Sequence, residues 1–183
     1  AAKKRVIEVG EGDARRRIGV IELATFYQDF EARRRGEADY RSATRDVARL
    51  LEELKAEKVD GVVLDLRNNG GGSLTEATEL TGLFIDEGPV VQVKSAQGRV
   101  EVERDRRPGR TWDGPLAVLV NRVSASASEI FAAAIQDYGR GLVVGEPTYG
   151  KGTVQNLVSL DQLSGRDEAR HGQLKFTVAQ FFR

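Results

Sequence analysis

A serine and a lysine in this chain have the residue types and surroundings of a catalytic pair. Ser126 lies in the run SASASE, and Lys151 lies in GEPTYGKGT. With one histidine, His171, and no cysteine, the chain has little means for histidine-assisted or thiolate catalysis. A serine hydroxyl becomes a nucleophile when a neighbouring base takes its proton, and lysine can be that base where burial keeps its amine neutral. The pair therefore predicts a Ser-Lys hydrolase.

The serine lies where a helix is expected to begin, which offers a simpler interpretation. Ser126 and Glu129 have the S-x-x-E spacing of a capping box, in which the serine caps the first turn and the glutamate folds back on it. A capping serine can still be catalytic, because the free backbone N–H groups beside it could hold an oxyanion. Ser124 and Ser128 flank it, and the residues alone do not choose among the three serines.

Three glycines follow a predicted buried strand and could supply a second oxyanion donor. The strand spans residues 61–67 and ends sharply at residues 68–72, NNGGG. Adjacent glycines permit backbone angles that turn neighbouring N–H groups into a concave donor site. The alternative is a plain tight turn between a strand and a helix. Asp65 and Arg67 could pair structurally below this turn.

Lys151 lies between two glycines directly after a predicted strand. The glycines allow close backbone approach, and the apolar Val143, Val144 and Val154 indicate that the segment enters the core. An ordinary surface cation is the simpler interpretation. A further alternative is a phosphate-binding loop, because residues 145–153 nearly match G-x-x-x-x-G-K-[ST]. The hydroxyl residue after the lysine is missing and a strand is predicted where a helix is required, so nucleotide binding is kept only as an alternative.

The overall composition argues against several other classes of protein. The 183 residues are enough for one domain with a real core. The 28 basic residues balance the 28 acidic ones, so no net field steers the chain toward nucleic acid or an anionic membrane. The lack of cysteine and the single histidine argue against metal sites, and no cofactor is expected. No run of about 18 apolar residues occurs, so no integral membrane segment is expected.

Strands alternate with helices along the chain, which predicts an α/β domain whose helices cover a sheet. An amphipathic helix is expected from Ser42, where apolar residues recur at helical spacing. Further helices are predicted at residues 73–84 and 130–135, and strands at residues 17–23, 90–93, 100–102, 116–121, 142–144, 153–159 and 174–181. Residues 24–41 are a candidate surface excursion, and residues 165–172, which include His171, are expected to form a loop.

Three sequence blocks together resemble the carboxy-terminal processing peptidases, in particular the tail-specific protease branch of bacterial periplasms. The blocks are DLRNNGGG at residues 65–72, SASASEIFAAAIQDYG at residues 124–139 and VGEPTYGKGTVQ at residues 144–155. They occur in the family's order, and Lys151 follows Ser126 at the family's separation of 25 residues. The resemblance implies a crotonase-like core of repeated β-β-α units, which agrees with the predicted order of strands and helices.

The resemblance implies an acyl-transfer mechanism with named roles. Ser126 would be the nucleophile, Lys151 the general base, and Gln155 the residue that holds the lysine amine in position. The family's spacing selects Ser126 over Ser124 and Ser128. No cofactor or metal is expected to take part in this chemistry.

The resemblance also implies roles for the groups around this pair. The N–H groups of Ala127 and of Gly72 or Gly71 would form the oxyanion hole. Glu129 and Asp137 match positions of supporting importance in relatives; we interpret Glu129 as a cap of the helix start and Asp137 as structural.

The implied substrates are proteins with apolar, unstructured C-terminal tails, in some cases delivered by an adaptor protein, and the implied location is the periplasm. Relatives carry a PDZ domain and further helical domains, for which this chain has no room. Residues 1–16 are therefore expected to be a connector from such a domain and residues 17–183 the peptidase core. The alternative to an active core is a peptide-binding or scaffold module whose catalytic pair is not assembled.

Overall fold

Two β-sheets carry the segments in which the candidate residues lie. The structure, a computed structural model, describes residues 1–160 and 172–182. Its strands are β1 (Lys3–Val9), β2 (Arg16–Glu22), β3 (Gly61–Asp65), β4 (Gly88–Ser95), β5 (Val100–Asp105), β6 (Leu116–Val120), β7 (Leu142–Gly145), β8 (Thr153–Ser159) and β9 (Gln173–Phe182). Its helices are α1 (Phe30–Arg34), α2 (Ala43–Ala56), α3 (Leu74–Thr81) and α4 (Ala127–Asp137), with a 3-10 turn at Gly12–Ala14. The chain is a mixed α/β protein, as the sequence predicted.

The first sheet places the glycine turn beside the serine run. Its strand order is β1-β2-β3-β6-β7, with β1 antiparallel to β2 and the remaining neighbours parallel. The carboxyl ends of the parallel strands therefore lie at one edge. The glycine turn follows β3 and the serine run follows β6, and these two strands are hydrogen-bonded neighbours. The two segments consequently meet at the carboxyl edge of the sheet.

The second sheet carries the chain that follows Lys151. Its strand order is β5-β4-β9-β8, and its neighbouring strands are antiparallel. β8 begins at Thr153 and pairs with β9. Lys151 thus lies in the connection between the parallel strand β7 and the second sheet.

An apolar core joins the first sheet to α2, α3 and α4. The apolar stripe of α2 is buried as its spacing predicted, and Ser42 caps the helix by accepting the N–H of Arg45. In α4, the ring of Phe131 lies 5.7 Å from that of Phe84 and 6.5 Å from that of Phe26, measured between centroids. This aromatic cluster fixes α4, and with it the serine at the start of the helix, against the core.

The N-terminal residues hold a strand that the sequence did not predict. Residues 1–16 were expected to form only a connector, whereas β1 within them pairs with β2 along its whole length. β1 is an edge strand with a solvated face. Its charged residues interrupt the apolar pattern around Val6 and Ile7, so the sequence did not indicate a strand. The expected connector therefore contributes to the sheet.

The remaining elements agree closely with the predicted ones, with two differences. The helix expected at residues 73–84 ends at Thr81, because the chain turns there to reach β4. The excursion at residues 24–41 includes the short α1 and the fully buried Phe26. The predicted loop at residues 165–172, with His171, lies outside the described residues except for Gly172.

None of the helices within residues 1–160 and 172–182 is long and apolar enough to cross a membrane.

Candidate active site

Ser126 holds an unusual backbone conformation at the start of α4. Its φ of 57° and ψ of −114° lie outside the ordinary regions for a residue with a side chain. Such a conformation costs on the order of 1–3 kcal/mol and persists only where its surroundings impose it. The backbone carbonyl of Ser126 accepts the N–H groups of Glu129 and Ile130, so the helix begins directly beyond this residue.

The three serines of the run have different environments. Ser124 and Ser128 are both 0% exposed. The Ser124 hydroxyl donates to the Leu66 carbonyl at 2.8 Å, and the Ser128 hydroxyl donates to the Asn69 carbonyl at 2.9 Å. Ser126 is half-buried and its side chain borders an open cavity. Two of the serines are therefore structural, and Ser126 is the one of the three that borders the open cavity.

Glu129 joins the serine segment to the lysine segment. Its Oε2 accepts the N–H of Ser126 at 2.8 Å and the N–H of Lys151 at 2.9 Å. Its Oε1 accepts the N–H of Gly150 at 2.6 Å. The pairing with Ser126 has the arrangement of a capping box, although the serine hydroxyl makes no cap hydrogen bond of its own. The sequence predicted the cap but gave no sign of the two bonds to the lysine segment.

The glycine turn packs directly against the serine. A Cβ atom added to Gly71 would lie 2.8 Å from the Ser126 Cβ, and the Gly71 φ of 105° also disfavours a side chain. The N–H of Gly71 donates to Asn69 Oδ1 at 2.9 Å. Gly72 is exposed and borders the same cavity as Ser126. Of the two glycines, Gly71 thus has its N–H engaged by the turn itself, whereas Gly72 faces the cavity.

Asn69 organises this turn and was missed by sequence reasoning. It is 0% exposed, and its Nδ2 donates to the Leu23 carbonyl at 2.8 Å. Its backbone carbonyl accepts the N–H of Ala125 and the hydroxyl of Ser128. One residue therefore bonds the segment directly after β2, the glycine turn and the serine run together. The asparagine pair before the three glycines was the available signal, because asparagine often bonds to nearby backbone in turns.

A second anchor of the turn comes from the segment before α1. Phe26 donates its N–H to the Gly71 carbonyl at 2.9 Å and accepts the N–H of Ser73 at 2.8 Å, so it forms a parallel bridge across Gly72. The hydroxyl of Thr25 donates to the Gly71 carbonyl at 2.7 Å. These contacts hold the turn independently of the serine run. They join residues that are far apart in the sequence, so no local sequence pattern predicts them.

Lys151 is half-buried rather than enclosed in the core. The preceding strand β7 is at the edge of its sheet, and Val144 within it is 48% exposed. The expectation that this segment enters the core is therefore met only in part, because one face of an edge strand is left to solvent. The chain continues from Lys151 into β8, so the helix that a phosphate-binding loop requires is absent from this place.

A cavity of about 540 Å³ brings the candidate residues together. It is bordered by Ser126, Ala127, Gly72, Lys151 and Gln155. These residues come from three separate sequence blocks. Gly72, Ser126 and Ala127 follow strands of the first sheet, and Gln155 lies in the second sheet. The structure thus places the proposed nucleophile, base and oxyanion donors around one space.

Further residues border the cavity that the sequence did not single out. Phe30, in α1, is 64% exposed and borders this cavity. Lys175, in β9, is exposed and supplies a second amine to the same cavity. Neither residue belongs to a recognisable motif, so only the fold brings them here. Lys175 is consequently an alternative candidate for the base, and an assignment of Lys151 must exclude it.

The two remaining predicted residues lie at different distances from this centre. Gln155 is exposed in β8, and its Nε2 approaches Thr177 Oγ1 at 3.5 Å. Asp137 is the last residue of α4, roughly 17 Å along the helix from Ser126, and borders a separate cavity. Gln155 therefore belongs to the central cavity and Asp137 does not.

The predicted pairing below the glycine turn is confirmed. Arg67 Nη2 lies 2.6 Å from Asp65 Oδ2, and Arg67 also donates its Nε–H and its backbone N–H to this carboxylate. Burial alone would raise the pKa of Asp65, but the hydrogen bonds and the charge of Arg67 outweigh it and hold this pKa below its usual value. The pair closes the end of β3 from which the turn departs.

Within residues 1–160 and 172–182, no group of three or more His, Asp or Glu side chains lies close enough together to hold a metal ion. The side chains that border the cavity carry hydroxyl, amine and amide groups.

Known proteins share both the sequence and the fold. The chain is 49% identical over 166 residues to a tail-specific protease of Haemophilus influenzae, covering 91% of this chain and 22% of the relative. It is 39% identical over 181 residues to the chloroplastic carboxyl-terminal-processing peptidase 2 of Arabidopsis thaliana, covering 98% of this chain and 31% of the relative. The chain thus spans less than a third of the length of these relatives.

A solved structure gives the same result for the fold. The photosystem II D1 C-terminal processing protease superposes with a TM-score of 0.74 at 30% identity, over 99% of this chain and 43% of that one. These matches confirm the resemblance drawn from the three motifs. The sequence model of Peptidase family S41 matches residues 17–183, and the chain belongs to this family.

Proposed function

We propose that this chain is the catalytic core of a serine endopeptidase in which Ser126 is the nucleophile and Lys151 is the general base. The observation that carries the proposal is the shared hydrogen bonding to Glu129 Oε2, which accepts the backbone N–H of both residues. Both side chains also border one cavity. The chain belongs to a family of peptidases, and its cavity is bordered by a strained, accessible serine and a half-buried lysine. These features favour acyl transfer over binding alone.

The proposed reaction begins with proton transfer. The neutral amine of Lys151 takes the proton of the Ser126 hydroxyl while Oγ attacks the carbonyl carbon of the scissile peptide bond. The resulting ammonium gives this proton to the departing amine, and the C–N bond breaks to leave an ester on Ser126. Lys151 then takes a proton from water, whose oxygen attacks the ester. The acid product leaves and the serine regains its proton.

The oxyanion formed in each step needs donors that are already in place. We assign the N–H of Ala127, in the first turn of α4, and the N–H of Gly72. Gly72 is preferred to Gly71 because the Gly71 N–H already donates to Asn69 Oδ1. Fixed backbone donors of this kind are worth about 3–4 kcal/mol each in transition-state stabilisation. The bonds from Asn69 and Phe26 hold the turn that presents them.

The supporting residues take distinct parts in this proposal. Gln155 is assigned to hold the Lys151 amine, because its side chain borders the same cavity from β8. Glu129 acts on the backbone of both segments rather than on the substrate. Asp137 is assigned a structural role at the far end of α4. We also assign the domain to the crotonase-like folds of repeated β-β-α units, in keeping with the parallel strands and the helices that follow them.

The proposed substrates are proteins with apolar, unstructured C-terminal tails. This proposal is supported by the names of the relatives, which are a tail-specific protease and C-terminal processing peptidases. An extended chain fits a catalytic cavity that opens to solvent between two sheets. Delivery by an adaptor protein and a periplasmic location are further parts of the proposal. We also assign residues 17–183 to the peptidase core; residues 1–16, which add the edge strand β1 to its first sheet, are assigned to the connection with a preceding domain.

The test is cleavage of an unfolded protein that ends in an apolar tail. Ser126→Ala and Lys151→Ala should each remove cleavage, with the circular dichroism spectrum and the melting temperature preserved. Lys175→Ala is the matched lysine control, since it removes the second amine of the cavity and should retain most of the activity. Full activity in Ser126→Ala contradicts the nucleophile, and activity lost in Lys175→Ala but kept in Lys151→Ala moves the base to β9.

A further inference from the structure

A buried carboxylate near the glycine turn has no part in the chemistry proposed for the cavity. Glu76, in the first turn of α3, is 0% exposed and lies four residues after Gly72. Glutamate is rarely fully buried, because a carboxylate taken out of water destabilises the fold unless hydrogen-bond donors surround it. The donors around Glu76 therefore show which segments this residue holds.

Four uncharged donors surround the carboxylate. Its Oε2 accepts the Ser42 hydroxyl at 2.9 Å, and it accepts both the N–H and the hydroxyl of Thr44 at 2.7 Å. Its Oε1 accepts the side-chain amide of Gln28 at 3.0 Å. The N–H of Thr44 lies in the first turn of α2, where N–H groups lack a partner within the helix and negative charge is favoured. Glu76 thus joins α3 to the start of α2 and to the segment before α1.

Gln28 carries this contact on toward the glycine turn. Because Glu76 only accepts, the Gln28 amide turns its NH₂ group toward the carboxylate and its oxygen away. That oxygen accepts the Ser73 hydroxyl at 3.2 Å. The Ser73 hydroxyl oxygen in turn accepts the N–H of Glu76 at 3.3 Å, as the cap of α3. The three side chains therefore form a closed ring in which each group has one orientation.

The ring holds the residues on both sides of the assigned oxyanion glycine. Ser73 follows Gly72 directly, and its N–H donates to the Phe26 carbonyl at 2.8 Å. Phe26 lies two residues before Gln28 and forms the parallel bridge with Gly72. A Cβ atom added to Gly72 would lie 2.2 Å from the Phe26 carbonyl oxygen, so the two backbones are in close contact. A shift of the segment that carries Phe26 and Gln28 must therefore move Gly72 as well.

We propose that Glu76 is a positioning residue for catalysis, whose carboxylate sets the direction of the Gly72 N–H through Gln28 and Ser73. The inference rests on the peptidase function proposed above and on the assignment of Gly72 as an oxyanion donor. Such a donor stabilises the transition state only while it points at the developing charge. Its misdirection lowers kcat and kcat/KM by the same factor and leaves KM unchanged.

The first test is Glu76→Gln, assayed on an unfolded protein with an apolar tail. With its oxygen facing Ser42 and Thr44, the new amide presents an NH₂ group to the NH₂ group of Gln28, so the ring is broken. We expect kcat to fall about 10- to 100-fold, with KM within about 2-fold of wild type. Gln28→Ala removes the link at a half-buried position, where the fold tolerates change, and should lower kcat in the same way.

Exchanging the two groups supplies the decisive variant. In the double variant Glu76→Gln with Gln28→Glu, the new amide donates to the new carboxylate, which also accepts the Ser73 hydroxyl. Each donor again faces an acceptor. We expect kcat to return to within about 5-fold of wild type, whereas Gln28→Glu alone places two carboxylates face to face and should lower kcat at least about 10-fold.

Two controls separate positioning from loss of stability. Leu54→Ala removes a fully buried side chain near the other end of α2. It should lower the melting temperature at least as far as Glu76→Gln does, with kcat within about 2-fold of wild type. Glu52→Gln makes the same chemical change at an exposed position of α2 and should alter neither quantity.

The outcomes separate this inference from the proposed function. Cleavage that persists in Ser126→Ala contradicts the proposed function itself, on which the inference rests. Where cleavage depends on Ser126, an unchanged kcat in Glu76→Gln and Gln28→Ala overturns the role of Glu76. A loss confined to KM overturns it too, since the effect then lies in substrate binding. A double variant that regains the wild-type melting temperature without regaining kcat also overturns it.

Discussion

The backbone N–H groups of Ser126 and Lys151 donate to the same atom, Glu129 Oε2, at 2.8 and 2.9 Å. One carboxylate therefore sets the separation of two segments that leave different strands of the first sheet, β6 and β7. This shared hydrogen bonding explains how Lys151, in a connection at the exposed edge of the sheet, can be held at a fixed distance from Ser126 at the start of a buried helix.

Glu129→Gln should weaken catalysis more than it weakens the fold. An amide can accept through its oxygen only, so at least one of the three N–H donors loses its partner, at a cost of about 1–3 kcal/mol in unfolding free energy. Misplacement of the lysine segment should lower kcat by about 10- to 100-fold with little change in KM. Steady-state kinetics and urea unfolding measure the two effects.

Glu146→Gln is the control for this change, because Glu146 is an exposed glutamate near the same segment. Glu146→Gln should leave kcat and the unfolding free energy unchanged within error. Unchanged kcat in Glu129→Gln would show that the carboxylate is not needed to position the pair.

Gly71→Ala should disrupt the fit between the glycine turn and the serine. The new Cβ would lie 2.8 Å from the Ser126 Cβ and 2.9 Å from the Ala125 carbonyl oxygen, at a φ of 105°. We expect at least about 2 kcal/mol of destabilisation and nearly complete loss of cleavage. Gly70→Ala, in the same turn, has no atom within 4 Å of its Cβ and should change stability by less than about 0.5 kcal/mol. Equal melting temperatures for the two variants would contradict this packing.

Ser126→Gly should be inactive but more stable than Ser126→Ala. Both variants lack the hydroxyl, whereas only glycine adopts a φ of 57° with ψ of −114° without a Cβ penalty. After the larger chain entropy of glycine is subtracted, a gain of about 1 kcal/mol in unfolding free energy is expected. Chemical denaturation of the two variants makes the comparison, and a glycine variant less stable than the alanine variant would argue against backbone strain at the serine.

Asp65→Asn should destabilise the protein in a pH-dependent way. The pKa of Asp65 is lowered in the folded state, so its pairing with Arg67 stabilises the fold above the unfolded pKa of about 3.9 and this contribution is lost as the pH falls. The variant should be less stable by about 1 kcal/mol at pH 7, and the difference should shrink between about pH 5 and pH 3. The exposed Asp113 gives the control, since Asp113→Asn should show no such difference. A constant difference at all pH values would rule out the charge as its cause.

The sequence predicted the parts of the site that follow local rules. Ser126 before an alanine-rich helix, the three glycines after an apolar run and Lys151 between glycines each stand in a recognisable setting. The helix α2 and the buried strand β3 were predicted for the same reason, since their apolar spacing is visible within a few residues.

What the sequence did not predict depends on contacts between distant segments. The hydrogen bonds from Glu129 to the lysine segment, the bridge from Phe26 across Gly72 and the entry of Lys175 into the cavity require the strand order of both sheets. β1 was missed for a different reason. The solvated face of this edge strand carries charged residues, which obscure the alternation of apolar and polar residues that predicts a strand.

The central claim is that Ser126 is acylated with the help of Lys151. The direct measurement is mass spectrometry of the acid-quenched reaction with a p-nitrophenyl ester of an apolar peptide, together with the rate of the nitrophenol burst. We predict a mass increase of one acyl group on Ser126 alone, and a burst whose rate is at least about 100-fold lower in Lys151→Ala. An acyl group found on Ser124 or Ser128, or a burst of undiminished rate in Lys151→Ala, would contradict it.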